Sequence, residues 1–137
     1  MRPLTFVTRA APGQRLDLSL LTPGALAGKS AAEIAKIELQ TTRERVTAGD
    51  IFRIRMGDAG RIVIEGGAER FDRVGMGLKA GSLLVEGDVG VEAGRTMSGG
   101  TLTIRGSAGP FAASGMKGGT MEVAGDVGER LAGPLAG

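Results

Sequence analysis

Cysteine, histidine, tryptophan and tyrosine are all absent from this 137-residue chain, and phenylalanine occurs only four times. Without His or Cys, the chain cannot assemble a Ser-His-Asp or Cys-His nucleophile from its own residues, and a zinc site would have carboxylates alone. The missing Cys also fits a reducing compartment. No apolar run approaches the roughly 20 residues that span a bilayer. The opening "MRPLTFVTRAAPGQR" lacks the hydrophobic region of a signal peptide. These absences predict a cytoplasmic protein with no membrane partner. Aromatic residues make up 3% of the chain, and the 17 basic residues are scattered among 15 acidic ones for a net charge of +2. No basic patch interleaved with stacking rings results, which argues against nucleic acid as a partner. The length suits one domain with a modest core.

What the chain has in abundance is glycine, 25 residues concentrated after Gly49. Three successive segments align without gaps at a period of 19: "GSLLVEGDVGVEAGRTMSG" from residue 81, "GTLTIRGSAGPFAASGMKG" from residue 100 and "GTMEVAGDVGERLAGPLAG" from residue 119. Four columns are glycine throughout: Gly81/Gly100/Gly119, Gly87/Gly106/Gly125, Gly90/Gly109/Gly128 and Gly99/Gly118/Gly137. Four others stay apolar: Leu83/Leu102/Met121, Val85/Ile104/Val123, Val89/Ala108/Val127 and Met97/Met116/Leu135. The first two apolar columns lie two residues apart, which puts them on one face of a strand, while Ser82, Thr101, Thr120, Glu86, Arg105 and Glu122 face solvent or a partner. An earlier repeat, "GRIVIEGGAERFDRVGMGLKA" from residue 60, carries two extra residues; with Ile62, Ile64, Gly66 and Leu78 in register, the insertion is expected around Phe71 to Val74.

A short strand, a glycine corner and a second apolar anchor at each period predict a mainly β fold. The expected architecture is a right-handed parallel β-helix of about 19 residues per coil with a short α/β N-terminal cap. Glycine would mark the corners through positive φ. The lack of a three-residue glycine period excludes collagen, the lack of a six-residue period excludes the hexapeptide helix, and 42% hydrophobic residues argue against disorder. The predicted division is a leader at 1–56 and coils at 57–137. In the leader, "LTFV" reads as a strand, "KSAAEIAKIEL" as a helix of about two turns opened by a Ser30/Glu33 capping box, and "GDIFRIRM" as the strand leading into the first coil. This leader is expected to cap one end of the stack. The array reaches Gly137 at the end of a coil with no polar terminal repeat, so that end is expected to need more chain or a partner to cover it.

Motif candidates resolve into bland readings. "GALAGKS" at residues 24–30 is one residue short of a phosphate loop, and Pro23 precedes it. The "GDVG" turns offer one carboxylate each and become "GSAG" at Ser107, so Asp88 and Asp126 are expected to bond their own turns rather than calcium. Glu86 and Arg105 share an outward column with Glu65 and are expected to pair weakly across coils. Met97 and Met116 read as core, and Phe111 as an exposed corner residue. No catalytic, cofactor-binding or metal-binding residue is expected, and no cofactor in this chain.

Residues 49–90, "GDIFRIRMGDAGRIVIEGGAERFDRVGMGLKAGSLLVEGDVG", together with the later repeats and the leader segments "RPLTF", "DLSLLTPGALAGKSAAEIAKIEL" and "TTRERV", resemble the C subunit of formylmethanofuran dehydrogenase. They resemble still more its bacterial counterpart in the formyltransferase/hydrolase complex of methylotrophs. Thirteen Arg against four Lys fit a GC-rich bacterial genome. The resemblance implies a non-catalytic β-helical scaffold in a hetero-oligomer with amidohydrolase-like, molybdopterin-enzyme-like and formyltransferase subunits. The implied activity of that assembly is transfer of a formyl group from tetrahydromethanopterin to a methanofuran-type carrier and its hydrolysis to formate, in one-carbon oxidation. Members of the family carry several more coils than the three and a half read here. Two alternatives remain at this stage: a glutamate-synthase-type glycine-repeat spacer, and a free-standing β-helix that associates end to end.

Overall fold

Alternation of buried aliphatic and outward polar residues at residues 60–65, 82–86, 101–105 and 120–124 decides the largest feature of the fold, a stack of parallel strands. The computed structural model describes residues 2–9, 12–41 and 44–127. In chain order the elements are β1 (Pro3–Thr8), β2 (Leu16–Asp17), α1 (Pro23–Leu26), α2 (Ala31–Ala35), β3 (Glu38–Thr41), β4 (Val46–Thr47), α3 (Ala48–Ile51), β5 (Phe52–Arg55), β6 (Asp58–Glu65), β7 (Phe71–Asp72), β8 (Ser82–Glu86), β9 (Ser98–Ile104) and β10 (Gly118–Val123). The fold is mainly β with short helices. Six strands form one sheet in the order β10-β9-β8-β6-β1-β5, and four form another in the order β4-β3-β2-β7. Both sheets are mixed: β1, β6, β8, β9 and β10 run parallel, whereas β5 lies antiparallel on β1, and β2 pairs parallel with β7 but antiparallel with β3.

The register follows the sequence columns. Ile62 faces Leu83, which faces Leu102, which faces Met121; Ile64, Val85, Ile104 and Val123 form the second ladder. Ile62, Ile64, Leu83, Val85, Leu102 and Ile104 are buried, whereas Met121 and Val123 on the last described strand are half-buried. Full burial of one such side chain contributes about 1.5–3 kcal/mol. Val89, Ala108 and Met97 are buried as their columns require, Ala108 bridges Val127, and Met116 is half-buried. Gly128, Leu135 and Gly137, with the expected uncovered end, lie outside the described residues.

The two extra residues of the earlier repeat sit elsewhere than expected. Glu65 pairs with Glu86, an offset of 86 − 65 = 21, but the Phe71 carbonyl accepts from the Gly90 N–H at 2.7 Å, an offset of 90 − 71 = 19. The insertion therefore lies between Gly67 and Phe71, not at Phe71 to Val74. The reason is burial: Phe71 and Val74 are fully inside, so an insertion there would expose a ring.

Glycine acts in two ways at the turns. Gly81, Gly100 and Gly119 have φ of 79°, 73° and 80°, the left-handed region expected of a corner. Gly106 is different, because it does not have positive φ; a Cβ there would lie 2.5 Å from the Gly87 carbonyl carbon in the repeat below. Close backbone approach, not φ, excludes a side chain. Conversely, one left-handed column carries no glycine at all: Arg73, Glu92 and Phe111, 19 residues apart, have φ of 56°, 61° and 66°.

The leader joins the first sheet rather than standing apart from it. β1 is inserted between β6 and β5, and its Leu4 and Phe6 extend the Ile62 and Ile64 ladders. Phe6 packs edge-on against Phe52 at 5.5 Å, and Phe52 meets Phe71 at 5.5 Å. The Ser30/Glu33 capping box forms, with the Ser30 hydroxyl accepting from the Glu33 N–H at 3.2 Å and the Glu33 carboxylate accepting from the Ser30 N–H at 3.0 Å. The helix it opens stops at Ala35, however, short of the two turns expected. Ile37 instead accepts from the Ala48 N–H, and Leu39 is buried in β3, so ladder pairing and burial outweigh helix propensity. The expected strand over residues 49–56 is likewise shortened, because Ala48–Ile51 forms a helical turn in which Asp50 accepts from the Thr47 N–H at 2.9 Å. What remains, β5, is the sheet edge beyond β1.

Candidate functional site

The densest set of ordered polar side chains lies where β2 meets β7. Arg15 grips Asp72 with two hydrogen bonds of 2.8 Å and gives a third, of 3.0 Å, to the Glu69 carbonyl. The second Asp72 role is vertical: its Oδ1 accepts from the Val91 N–H of the next repeat at 3.0 Å. Arg73 donates to Asp17 at 3.0 Å and approaches Glu92 at 3.5 Å, and Glu92 also pairs with Arg95. Asp17 in turn accepts from the Ser19 N–H at 2.8 Å. These side chains, with Gln40 and Thr41 of β3, line a groove of about 230 Å³.

The carboxylates of Asp17, Asp72 and Glu92 are largely covered, while the Arg side chains remain a third to nearly half exposed. Hydrogen bonding to Asp72 holds the Arg15 guanidinium above its ordinary pKa, and Asp17 does the same for Arg73. Each of these anions thus has a cation. The network fastens the leader, through Arg15 and Asp17, to two successive repeats. The sequence reading missed it because Asp17 and Arg73 lie 56 residues apart. The spacing of Arg73, Glu92 and Phe111 at 19 residues was the signal available.

The motifs named from the sequence have separate fates. In "GALAGKS" the backbone N–H groups of Ala25 and Leu26 bond the Thr22 carbonyl, those of Ala27 and Lys29 bond the Pro23 and Leu26 carbonyls, and none of these is left to cradle a phosphate. Asp88 does not bond its own turn; it accepts from the Ser107 N–H one repeat later at 2.8 Å, and the Ser107 hydroxyl accepts from the Asp126 N–H at 3.1 Å. Bonding upward satisfies the next turn's donor, which a local bond would leave unpaired. Glu86 and Arg105 do not form the expected pair, although the Arg105 N–H still bonds the Val85 carbonyl; their column-mate Glu65 meets Arg55, at 3.8 Å. Phe111 is 38% exposed at its corner. Among the described residues, no three His, Cys, Asp or Glu side chains are grouped to hold a metal ion, and no helix is long and apolar enough to cross a membrane.

No protein-family model matches the chain. It is 49% identical over 77 residues to the C subunit of the formyltransferase/hydrolase complex Fhc of Methylorubrum extorquens, a match covering 56% of this chain and 29% of that protein. It is 31% identical over 99 residues to the C subunit of the tungsten-containing formylmethanofuran dehydrogenase 2 of Methanothermobacter thermautotrophicus, covering 69% and 37%. One chain in the crystal structure of the formyltransferase/hydrolase complex FhcABCD from Methylorubrum extorquens with methylofuran superposes with a TM-score of 0.91 at 46% identity, covering 96% of this chain and 49% of that one. The chain thus spans less than half the length of these relatives. At 46% identity over 96% of its length, the chain is related to the C subunit of the formyltransferase/hydrolase complex and, more distantly, to its counterpart in formylmethanofuran dehydrogenase.

Proposed function

We propose that this chain is a structural, non-catalytic component of a formyltransferase/hydrolase complex. In that role it holds together subunits that pass a formyl group from tetrahydromethanopterin to a methanofuran-type carrier and hydrolyse it to formate. The superposition on 96% of its length, at 46% identity, with a chain of the FhcABCD crystal structure is the observation that carries this reading. The chemistry of the surface supports it: His and Cys are absent, and the charged groups of the groove are paired with one another. Its partners are the amidohydrolase-like, molybdopterin-enzyme-like and formyltransferase subunits, the compartment is cytoplasmic, and the chain binds no cofactor itself.

The parallel ladders at 19-residue offsets, joined to a second sheet through β7, support assigning residues 57–137 to coils of a right-handed parallel β-helix, with 1–56 as its leader. Right-handedness follows from the strong bias of parallel crossovers. Co-expression with the other subunits tests the functional reading. The chain should be retained in the assembly, formyl transfer and hydrolysis should require the partners, and the isolated chain should turn over neither substrate. An isolated chain that is active, or a full-activity assembly formed without it, would overturn the proposal.

A further inference from the structure

The hydrogen bonding between repeats is interrupted at one corner. The two N–H groups that follow Met97 and Met116 donate to the anchor carbonyl one period below. Ser98 and Gly99 reach the Leu78 carbonyl at 2.9 and 3.1 Å, and Lys117 and Gly118 reach the Met97 carbonyl at 2.8 and 3.3 Å. Lys79 and Ala80 follow Leu78 in the same columns, and at the offset of 21 that pairs Glu65 with Glu86 the residue beneath Leu78 is Gly57, since 78 − 21 = 57. There the leader intervenes. The Asp58 N–H donates to the Arg2 carbonyl at 2.7 Å, and a Cβ on Gly57 would collide with the Arg2 and Pro3 carbonyl oxygens, so this turn is packed onto the start of β1. The Lys79 and Ala80 N–H groups are left without a partner among the described residues.

Both residues line a cleft of about 600 Å³ between residues 22–25 of the leader and Gly60 with residues 77–81 of the first repeat. Its walls meet where a Cβ on Gly81 would lie 2.9 Å from the Pro23 ring, whereas a Cβ on Gly24 or Gly77 would meet nothing within 4 Å, so the cleft is open on that side. Two further donors line it. The Thr22 hydroxyl does not cap α1 and has no partner among the described residues, and the exposed Lys79 ammonium is in no ion pair there. Lys79 is the only charged residue among those lining the cleft. Its column-mate Asp58 turns aside, with Oδ1 accepting from the Gly60 N–H at 2.9 Å. An ammonium, a hydroxyl and two adjacent backbone N–H groups, with no carboxylate among the lining side chains, select an anion. Four donors match the lone-pair sites of one carboxylate, and a single cation suits a monoanion. We propose that this cleft binds a carboxylate group, with the Lys79 ammonium as its counter-ion and the Lys79 and Ala80 N–H groups fixing its oxygens. Its source is a small free acid or an acidic side chain of a neighbouring subunit, and the same donors serve both.

Amide NMR of the isotope-labelled full chain, titrated with sodium acetate at an ionic strength held constant with sodium chloride, tests the site. The Lys79 and Ala80 amide signals should move saturably, with a dissociation constant on the order of 10 mM. Those of Lys117 and Gly118, already bonded to the Met97 carbonyl, should stay in place. Lys79→Met should weaken binding about fivefold. Gly24→Glu, which sets a competing carboxylate on the open side, should weaken it at least as much. Lys117→Met, the same change in the same column two repeats on, should leave it unaltered, and thermal melts check that each variant keeps the fold. No saturable shift at Lys79 and Ala80, or equal shifts at Lys117 and Gly118, would overturn the proposal. Retention in the co-expressed assembly separates the two sources. Lys79→Glu should release the chain if a subunit's acidic side chain fills the cleft, and should leave retention unchanged if the ligand is a free acid. The acetate titration needs no other subunit, so its outcome is independent of the scaffold role.

Discussion

In the repeats, the buried strand positions are aliphatic and their neighbours above and below are nearly the same: Ile62, Leu83 and Leu102 in one ladder, Ile64, Val85 and Ile104 in the next. In the leader, the buried strand positions include Leu4, Phe6, Leu16, Leu39 and Phe52, drawn from four short strands, and none recurs at a fixed period. Three of the four phenylalanines gather here or at the first repeat, as Phe6, Phe52 and Phe71. Stability in the repeats is thus spread over many equivalent contacts along the stack. At the leader end it is concentrated in one aromatic cluster, which closes the ladder where no further repeat precedes it among the described residues.

The difference has measurable consequences. Phe52 touches both other rings, so Phe52→Ala should cost about 3–5 kcal/mol, read as a lowered urea midpoint. Gly106→Val, inside the repeats, should cost about 1–3 kcal/mol through overpacking against Gly87 and Asp88, and Gly106→Ala should already be destabilising. If Gly106→Val is as damaging as Phe52→Ala, the contrast between a concentrated and a spread-out core fails. Asp72 joins the two regions, accepting from Arg15 of the leader and from the Val91 N–H of the next repeat. Asp72→Ala should cost about 1 kcal/mol, moderated because Arg15 is nearly half exposed. A result indistinguishable from wild type would mean that leader and repeats are not coupled there.

The smallest expected effect lies on the exposed cap of α2. Hydrogen bonds from the Ser30 backbone and side chain hold the Glu33 carboxyl below its ordinary pKa. A depressed folded-state pKa means that the contribution is complete above the ordinary carboxylate range and disappears as pH falls through the lowered value. Wild type should therefore exceed Glu33→Gln slightly at neutral pH in thermal melts, with the gap closing in acid. A gap that widens on acidification would contradict the cap.

The repeats were legible in the sequence because a 19-residue period makes every buried column state itself several times. Ile62, Leu83 and Leu102 could be placed inside without any structure. The leader was less so: Ile37 and Leu39 follow helix-forming residues, and only pairing with β2 and β4 and burial of Leu39 reveal β3. The Phe71 insertion was misplaced for a related reason, since a gap in a periodic pattern can slide until a buried ring fixes it. Gly106 was assigned the right importance for the wrong cause, as sequence cannot separate a glycine needed for φ from one needed for clearance. The charged groove joining Arg15, Asp17, Asp72 and Arg73 was invisible, because its members meet only after the leader has folded back onto the repeats.

The vertical series from Asp88 to Ser107 to Asp126 gives the stack a unit of inheritance. Each turn presents an oxygen to the N–H of the turn one period later, and aspartate and serine serve interchangeably. Removal of residues 100–118 would bring Asp88 beneath the Asp126 N–H in the place Ser107 now occupies, with both ladders and the glycine clearances still matched. The two extra residues between Gly67 and Phe71 show the other route, a loop that lengthens between matched columns. A stack of this kind can therefore change length by whole periods or at such a loop, but not within a ladder strand.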